Sequence, residues 1–122
     1  MLAEHLRADR CAYAEVEADE DHFVITGDYT TGSVSSIVGR YAMSQFGTEA
    51  LRLMHVGEAY VVHDVDADAR ILKADLASYR QTEIQSVVCV PLFKHGRFAA
   101  VMAVHMSTPR VWPDNELSLQ KE

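Results

Sequence analysis

At 122 residues, 48% of them hydrophobic and 24% charged, the chain has the size and composition of one soluble compact domain and leaves no room for two. The formal net charge is −7, and the eleven Lys and Arg residues are scattered rather than clustered, which argues against a nucleic-acid backbone as partner. No apolar stretch nears the ~20 residues of a membrane span, and the amino terminus has neither the basic nor the long apolar region of a signal peptide, so the sequence reads as cytoplasmic with no membrane insertion.

Residues 1–9 have helical composition and read as the last turns of a longer helix. Arg10–Ala18 alternates in character and suits a strand. The acidic cluster Asp19-Glu-Asp is a solvated turn, and His22–Thr30, rich in β-branched and aromatic residues, completes a hairpin. A Gly/Ser/Thr loop over Thr31–Ser36 leads into Ile37–Met43, whose local structure the pattern leaves open. Thr48 opens a helix as its N-cap, and Gly57 closes it at the C′ position. Ala59–Val65 is the next strand. Leu72, Leu76 and Tyr79 then fall on one face of a helix over Leu72–Arg80. The clearest element is a hairpin: two long apolar runs, Ser86–Lys94 and Arg97–Met106, joined by His95-Gly96. Pro109 and Pro113 flank a turn, and a final helix starts at Asp114. This order gives an α+β domain with a mostly antiparallel central sheet.

The stretch from Val61 to Val104 carries a more specific signal. It holds Val61-Val-His-Asp-Val-Asp-Ala-Asp-Ala-Arg, a helix ending at Tyr79-Arg80, and Ile84-Gln-Ser-Val-Val-Cys-Val-Pro-Leu-Phe-Lys-His-Gly-Arg-Phe. The closing Pro109-Arg-Val-Trp-Pro-Asp-Asn-Glu-Leu has the look of an exit into a helix. With these motifs the sequence resembles a GAF domain over nearly its whole length, 1–122 being a single such domain cut from a larger signalling protein. It is most similar to the GAF domains placed ahead of bacterial sensor histidine kinases. The resemblance implies a central antiparallel sheet of about six strands with helices on both faces and a small-molecule pocket on one face. It also implies a homodimer formed through the terminal helices, with an adjacent kinase or other output domain.

Several chemistries can be weighed on the residues. Asp64, Asp66, Asp68 and Asp75 superficially match a calcium loop, but Ala69 stands where Gly is needed and Asp75 where a bidentate Glu is needed, so no metal is expected. The six histidines show no ligand spacing for zinc. The segment ending in His105 is similar to the closing strand of phytochrome GAF domains, whose histidines contact a bilin. This chain lacks the Asp-Ile-Pro motif and the Cys-His pair, which argues against a covalent bilin and leaves the cofactor unknown. A thiol-dependent methionine sulfoxide reductase would need Cys11 and Cys89 to meet. No catalytic residue is expected, and non-covalent sensing of a small molecule is the leading function. A ligand-free structural dimerisation module is the alternative. Tyr29, Tyr41, Phe46, Asp64, Tyr79 and His105 are the candidate ligand-binding residues, aromatics and directional polar groups near the ligand face.

Overall fold

The computed structural model describes residues 8–32 and 34–112. The expected helices at the two chain ends lie outside the described residues. Six strands form one open antiparallel sheet: β1 (Arg10–Val16), β2 (His22–Thr30), β3 (Gly39–Ala42), β4 (Tyr60–Val62), β5 (Ser86–Lys94) and β6 (Arg97–Met106), in the order β3-β2-β1-β6-β5-β4. β1 and β6 sit at the centre and pair with each other, Arg10 opposite His105 and Ala12 opposite Ala103. Two short helices, α1 (Thr48–His55) and α2 (Leu76–Gln81), contribute Ala50, Met54 and Tyr79 to the core cluster on one face of the sheet.

The main core lies between that face and the helices, gathering Ala12, Ala14, Phe23, Ile25, Val87, Val101 and Ala103 from the strands. A second cluster, Ala8, Val88, Val90, Val104 and Trp112, occupies the other face. Both strands of the β5–β6 hairpin are therefore apolar on two sides, which is why they read as continuous hydrophobic runs. The hairpin turn has φ of 53° at His95 and 76° at Gly96, the paired positive values of a turn whose twist matches its strands.

One segment left open takes a definite form, and two local expectations change. Ile37–Met43 becomes an extended approach followed by the edge strand β3 and a 3₁₀ turn over Met43–Phe46. Thr48 is the first helical residue of α1, while Gly47, at φ 120°, takes the cap position that Thr48 was expected to fill. The segment from Leu72 forms a 3₁₀ turn over Lys73–Asp75 before α2 begins at Leu76, and Leu72 itself is exposed. The end of α1 follows expectation: Glu58 N–H donates to Leu53 O at 2.9 Å and Gly57 N–H to Met54 O at 3.3 Å, with Gly57 at φ 81°. These are the two bonds of a Schellman motif, which Gly at C′ favours.

Candidate functional site

A cavity of about 50 Å³ lies between the sheet and the helices. Its floor is low because the central strands present Ala12, Ala14 and Ala103 there. Its roof comes from Phe46 and Ala50 on one side and Tyr79 and Thr82 on the other. A single water needs roughly 10–15 Å³ of such space, so the cavity has room for a few water-sized groups. Its lining is overwhelmingly apolar, with a small number of polar atoms set among aromatic rings.

Those rings are fixed by one another and by hydrogen bonds. Phe46 meets Tyr79 edge-on at 5.3 Å between centroids, and Phe23 stacks on Tyr41 at 5.7 Å. Tyr79 Oη donates to Phe46 O at 2.5 Å and lies 2.8 Å from Tyr60 Oη. Because a phenol has one proton, Tyr60 must be the donor to Tyr79. Tyr41 Oη donates to Ile37 O at 2.9 Å, and Thr82 Oγ1 to Ser78 O at 2.7 Å. Burial pushes the Tyr60 phenol up to about 12 and raises that of Tyr79 as well, so both remain neutral donors.

At one end of the cavity stands the least expected group in the chain. Arg10 is completely buried, as the first residue of β1, with its side chain on the helix-facing side. Nε donates to His105 Nδ1 at 3.0 Å, Nη1 to Ser35 O at 2.8 Å, and Nη2 to Thr82 O. Among the described residues no carboxylate is hydrogen-bonded to it. Burial pulls its pKa below the usual arginine value, opposed by the charges of Asp28 and Glu83 nearby. Those two acids are bonded elsewhere: Asp28 accepts from Ile37 N–H at 2.7 Å and from Ser36 Oγ, and Glu83 from Ser35 N–H at 3.0 Å. Arg10 thus ties the Ser35 loop, the end of α2 and strand β6 together.

His105 borders the cavity and is 5% exposed. Since Nδ1 accepts from Arg10, the ring proton sits on Nε2, which fixes the tautomer. Burial, and then the Arg10 charge, hold the imidazole well below its usual pKa, so the ring is neutral.

Of the expected ligand-binding residues, Tyr41, Phe46, Tyr79 and His105 all border this one cavity. Tyr29 does not. Phe23 and Ile25 face the helices, and strict alternation along β2 would have kept residue 29 on that side. The register slips instead: Tyr13 is opposite Gly27 and Ala14 opposite Ile25, leaving Thr26 as an extra residue. A one-residue bulge reverses the facing of everything beyond it. Asp28 therefore falls opposite Ala12 on the cavity side, and Tyr29 opposite Cys11 in the second cluster. Asp64 also falls outside the cavity. It lies past the end of β4 and accepts from Gln85 Nε2 at 2.7 Å and Asp66 N–H at 3.1 Å, a turn-closing role. The other acids of that segment are likewise paired, Asp68 with Arg70 at 2.6 Å and Asp66 with Arg80. Among the described residues no group of three or more His, Cys, Asp or Glu is placed to hold a metal ion.

The two cysteines are both half-buried and free, and they do not meet. Cys11 packs in the cluster on the outer face and Cys89 against the core on the helix face. Burial raises the Cys11 thiol and pushes Cys89 up to about 12, which leaves neither as a ready nucleophile. A nucleophile paired with a resolving thiol, the arrangement sulfoxide reduction needs, is absent from these two positions.

The comparisons with known proteins fit this architecture. The family model for the GAF domain matches residues 1–122. The chain belongs to the GAF domain family. Solved structures of similar fold include the phycocyanobilin-bound GAF domain of a cyanobacterial phytochrome, at 14% identity and a TM-score of 0.82, covering 98% of this chain and 72% of that one. The blue-light-absorbing form of the Thermosynechococcus elongatus PixJ GAF domain aligns at 15% identity and 0.84, covering 99% and 72%. A far-red cyanobacteriochrome photoreceptor aligns at 20% identity and 0.74, covering 98% and 74%. No curated protein matches the chain in sequence. At these identities the structural likeness is one of fold. The cavity, at about 50 Å³, is smaller than the roughly 300–1,000 Å³ pockets that hold drug-sized ligands, and Cys89, a thiol in its lining, is held protonated.

Proposed function

We propose that this GAF domain is the regulatory, sensory module of a bacterial signal-transduction protein, a sensor histidine kinase, which holds a small molecule non-covalently and passes its presence to the chain ends. The observation that carries the reading is the position of the cavity relative to those ends. Arg10 and His105 border or buttress the cavity and are cross-strand partners where β1 begins and β6 ends. Next to them, Asp9 N–H donates to His105 O at 3.0 Å, and the Asp9 carboxylate takes both Ser107 N–H and Ser107 Oγ at 2.7 Å. A ligand that moved the His105 ring would act directly on the point where both ends leave the sheet. Such a ligand changes output only if it binds one arrangement of those ends better than the other.

Pairing of two copies through the terminal segments belongs to the same reading. It is supported by the exposed apolar side chains of Tyr13 and Leu92, which strand alternation places on the outer face with Cys11 and Val90. A cytoplasmic location agrees with the lack, among the described residues, of any helix long and apolar enough to cross a membrane.

The smallness of the cavity favours a second reading, in which the core has closed over and the domain serves as a ligand-free dimerising spacer. A thermal-shift screen of small metabolites and cyclic nucleotides separates the two. A saturable rise in melting temperature for one compound class supports sensing; a flat response across the panel, with a dimer by analytical ultracentrifugation, supports the spacer.

A further inference from the structure

The hydrogen-bond donors around the cavity can be counted one by one. Tyr41 gives its proton to Ile37 O, Tyr79 to Phe46 O, Tyr60 to Tyr79 Oη, and Thr82 to Ser78 O. Each is consumed within the protein. His105 differs: Nδ1 accepts from Arg10, and among the described residues Nε2–H has no acceptor, although the ring is 5% exposed and lines the cavity. Among the described residues no side-chain nitrogen or oxygen sealed from solvent is left without a partner, so this nitrogen borders open space. A neutral donor in an apolar chamber is satisfied only by what enters the chamber.

The surroundings restrict that occupant further. A cation would be set against Arg10, whose charge is buried directly behind the ring, and would find no carboxylate among the lining groups. Asp28, Glu83 and Asp9, the acids around Arg10, are bonded to the Ser36–Ile37 loop, Ser35 and Ser107 and do not line the cavity. The rest of the wall is hydrocarbon and aromatic rings, with the hydroxyls already bonded within the protein and the weakly donating Cys89 thiol among them.

Resting on the sensory reading above, we infer that the occupant is a small, mainly apolar molecule carrying one carbonyl or carboxylate oxygen, which accepts from His105 Nε2–H. Arg10 is a positioning residue: its Nε–H on Nδ1 keeps the proton on the cavity side of the ring. The space present holds only a short-chain compound.

Three size-matched probes test this: propionate, butanone and sec-butylamine, titrated into protein labelled with ¹⁵N-histidine. Propionate or butanone is expected to move the His105 Nε2 resonance saturably, and His105→Phe to weaken that probe about tenfold by calorimetry, the loss of one buried hydrogen bond. The two oxygen probes tell a carboxylate from a neutral carbonyl. Because His105→Phe also frees Arg10 Nε, the wild-type ¹⁵N shift stands as a readout that needs no variant. The inference is overturned if the amine binds as well as the oxygen probes, if binding leaves the His105 signal unmoved, or if none of the three binds. In each of those outcomes a positive response in the metabolite screen would leave the sensory reading standing with a different ligand class.

Discussion

Arg10 links three distant parts of the chain through one side chain. It is wholly buried, yet its three bonds go to an imidazole nitrogen and two backbone carbonyls rather than to an acid. Replacing it leaves two buried acceptors, His105 Nδ1 and Thr82 O, and the part-buried Ser35 O without this donor, so Arg10→Met is expected to destabilise the domain by about 2–4 kcal/mol, read as a lower urea midpoint at unchanged slope. His105 gives a pH dependence whose sign follows from its environment. Its folded pKa lies below the ordinary 6.5, so below about that pH the unfolded chain binds a proton the folded one refuses. Stability present at neutral pH is therefore lost as pH falls below about 6.5, and His105→Phe should flatten that limb of the urea-midpoint curve. An unchanged slope in the variant would show that His105 is not kept neutral by its site. In the sequence, Arg10 was only the first letter of a strand, and nothing in its neighbours marks it as buried. Its partners are 25, 72 and 95 residues away, which no local pattern reveals.

At the scale of elements, legibility followed periodicity. The β5–β6 hairpin, with its long apolar runs and His95-Gly96 turn, and the Gly57 ending of α1 are where local chemistry alone decides the structure. Gly57→Ala is expected to cost about 1 kcal/mol, because its φ of 81° suits a residue without a side chain; a thermal melt showing no loss would mean the Schellman ending is dispensable. Short elements were harder. β3, four residues long, was left open, and β4, expected over Ala59–Val65, keeps only Tyr60–Val62; pairing with a longer neighbour holds both. The bulge at Thr26 was invisible for a related reason: only the register against β1 shows that β2 gains a residue there. That single insertion moved Tyr29 off the cavity and brought Asp28 towards Arg10.

For the whole molecule, four of the six expected site residues converge on one cavity because the family fold places a helix pair over the centre of the sheet, and three alanines leave the space beneath. The same topology sets Arg10 and His105 beside the points where the described chain ends leave, so occupancy and output share one strand pair. Sensing by a GAF domain of this shape needs the cavity to take a molecule without a covalent bond. Native mass spectrometry of the purified protein, set against its denatured mass, asks that question most directly. Sensing predicts a saturable adduct in the native spectrum, either carried through purification or formed with a compound that raises the melting temperature, and its complete loss on denaturation. Identical native and denatured subunit masses across the whole screen would contradict it, as would an adduct that survives unfolding.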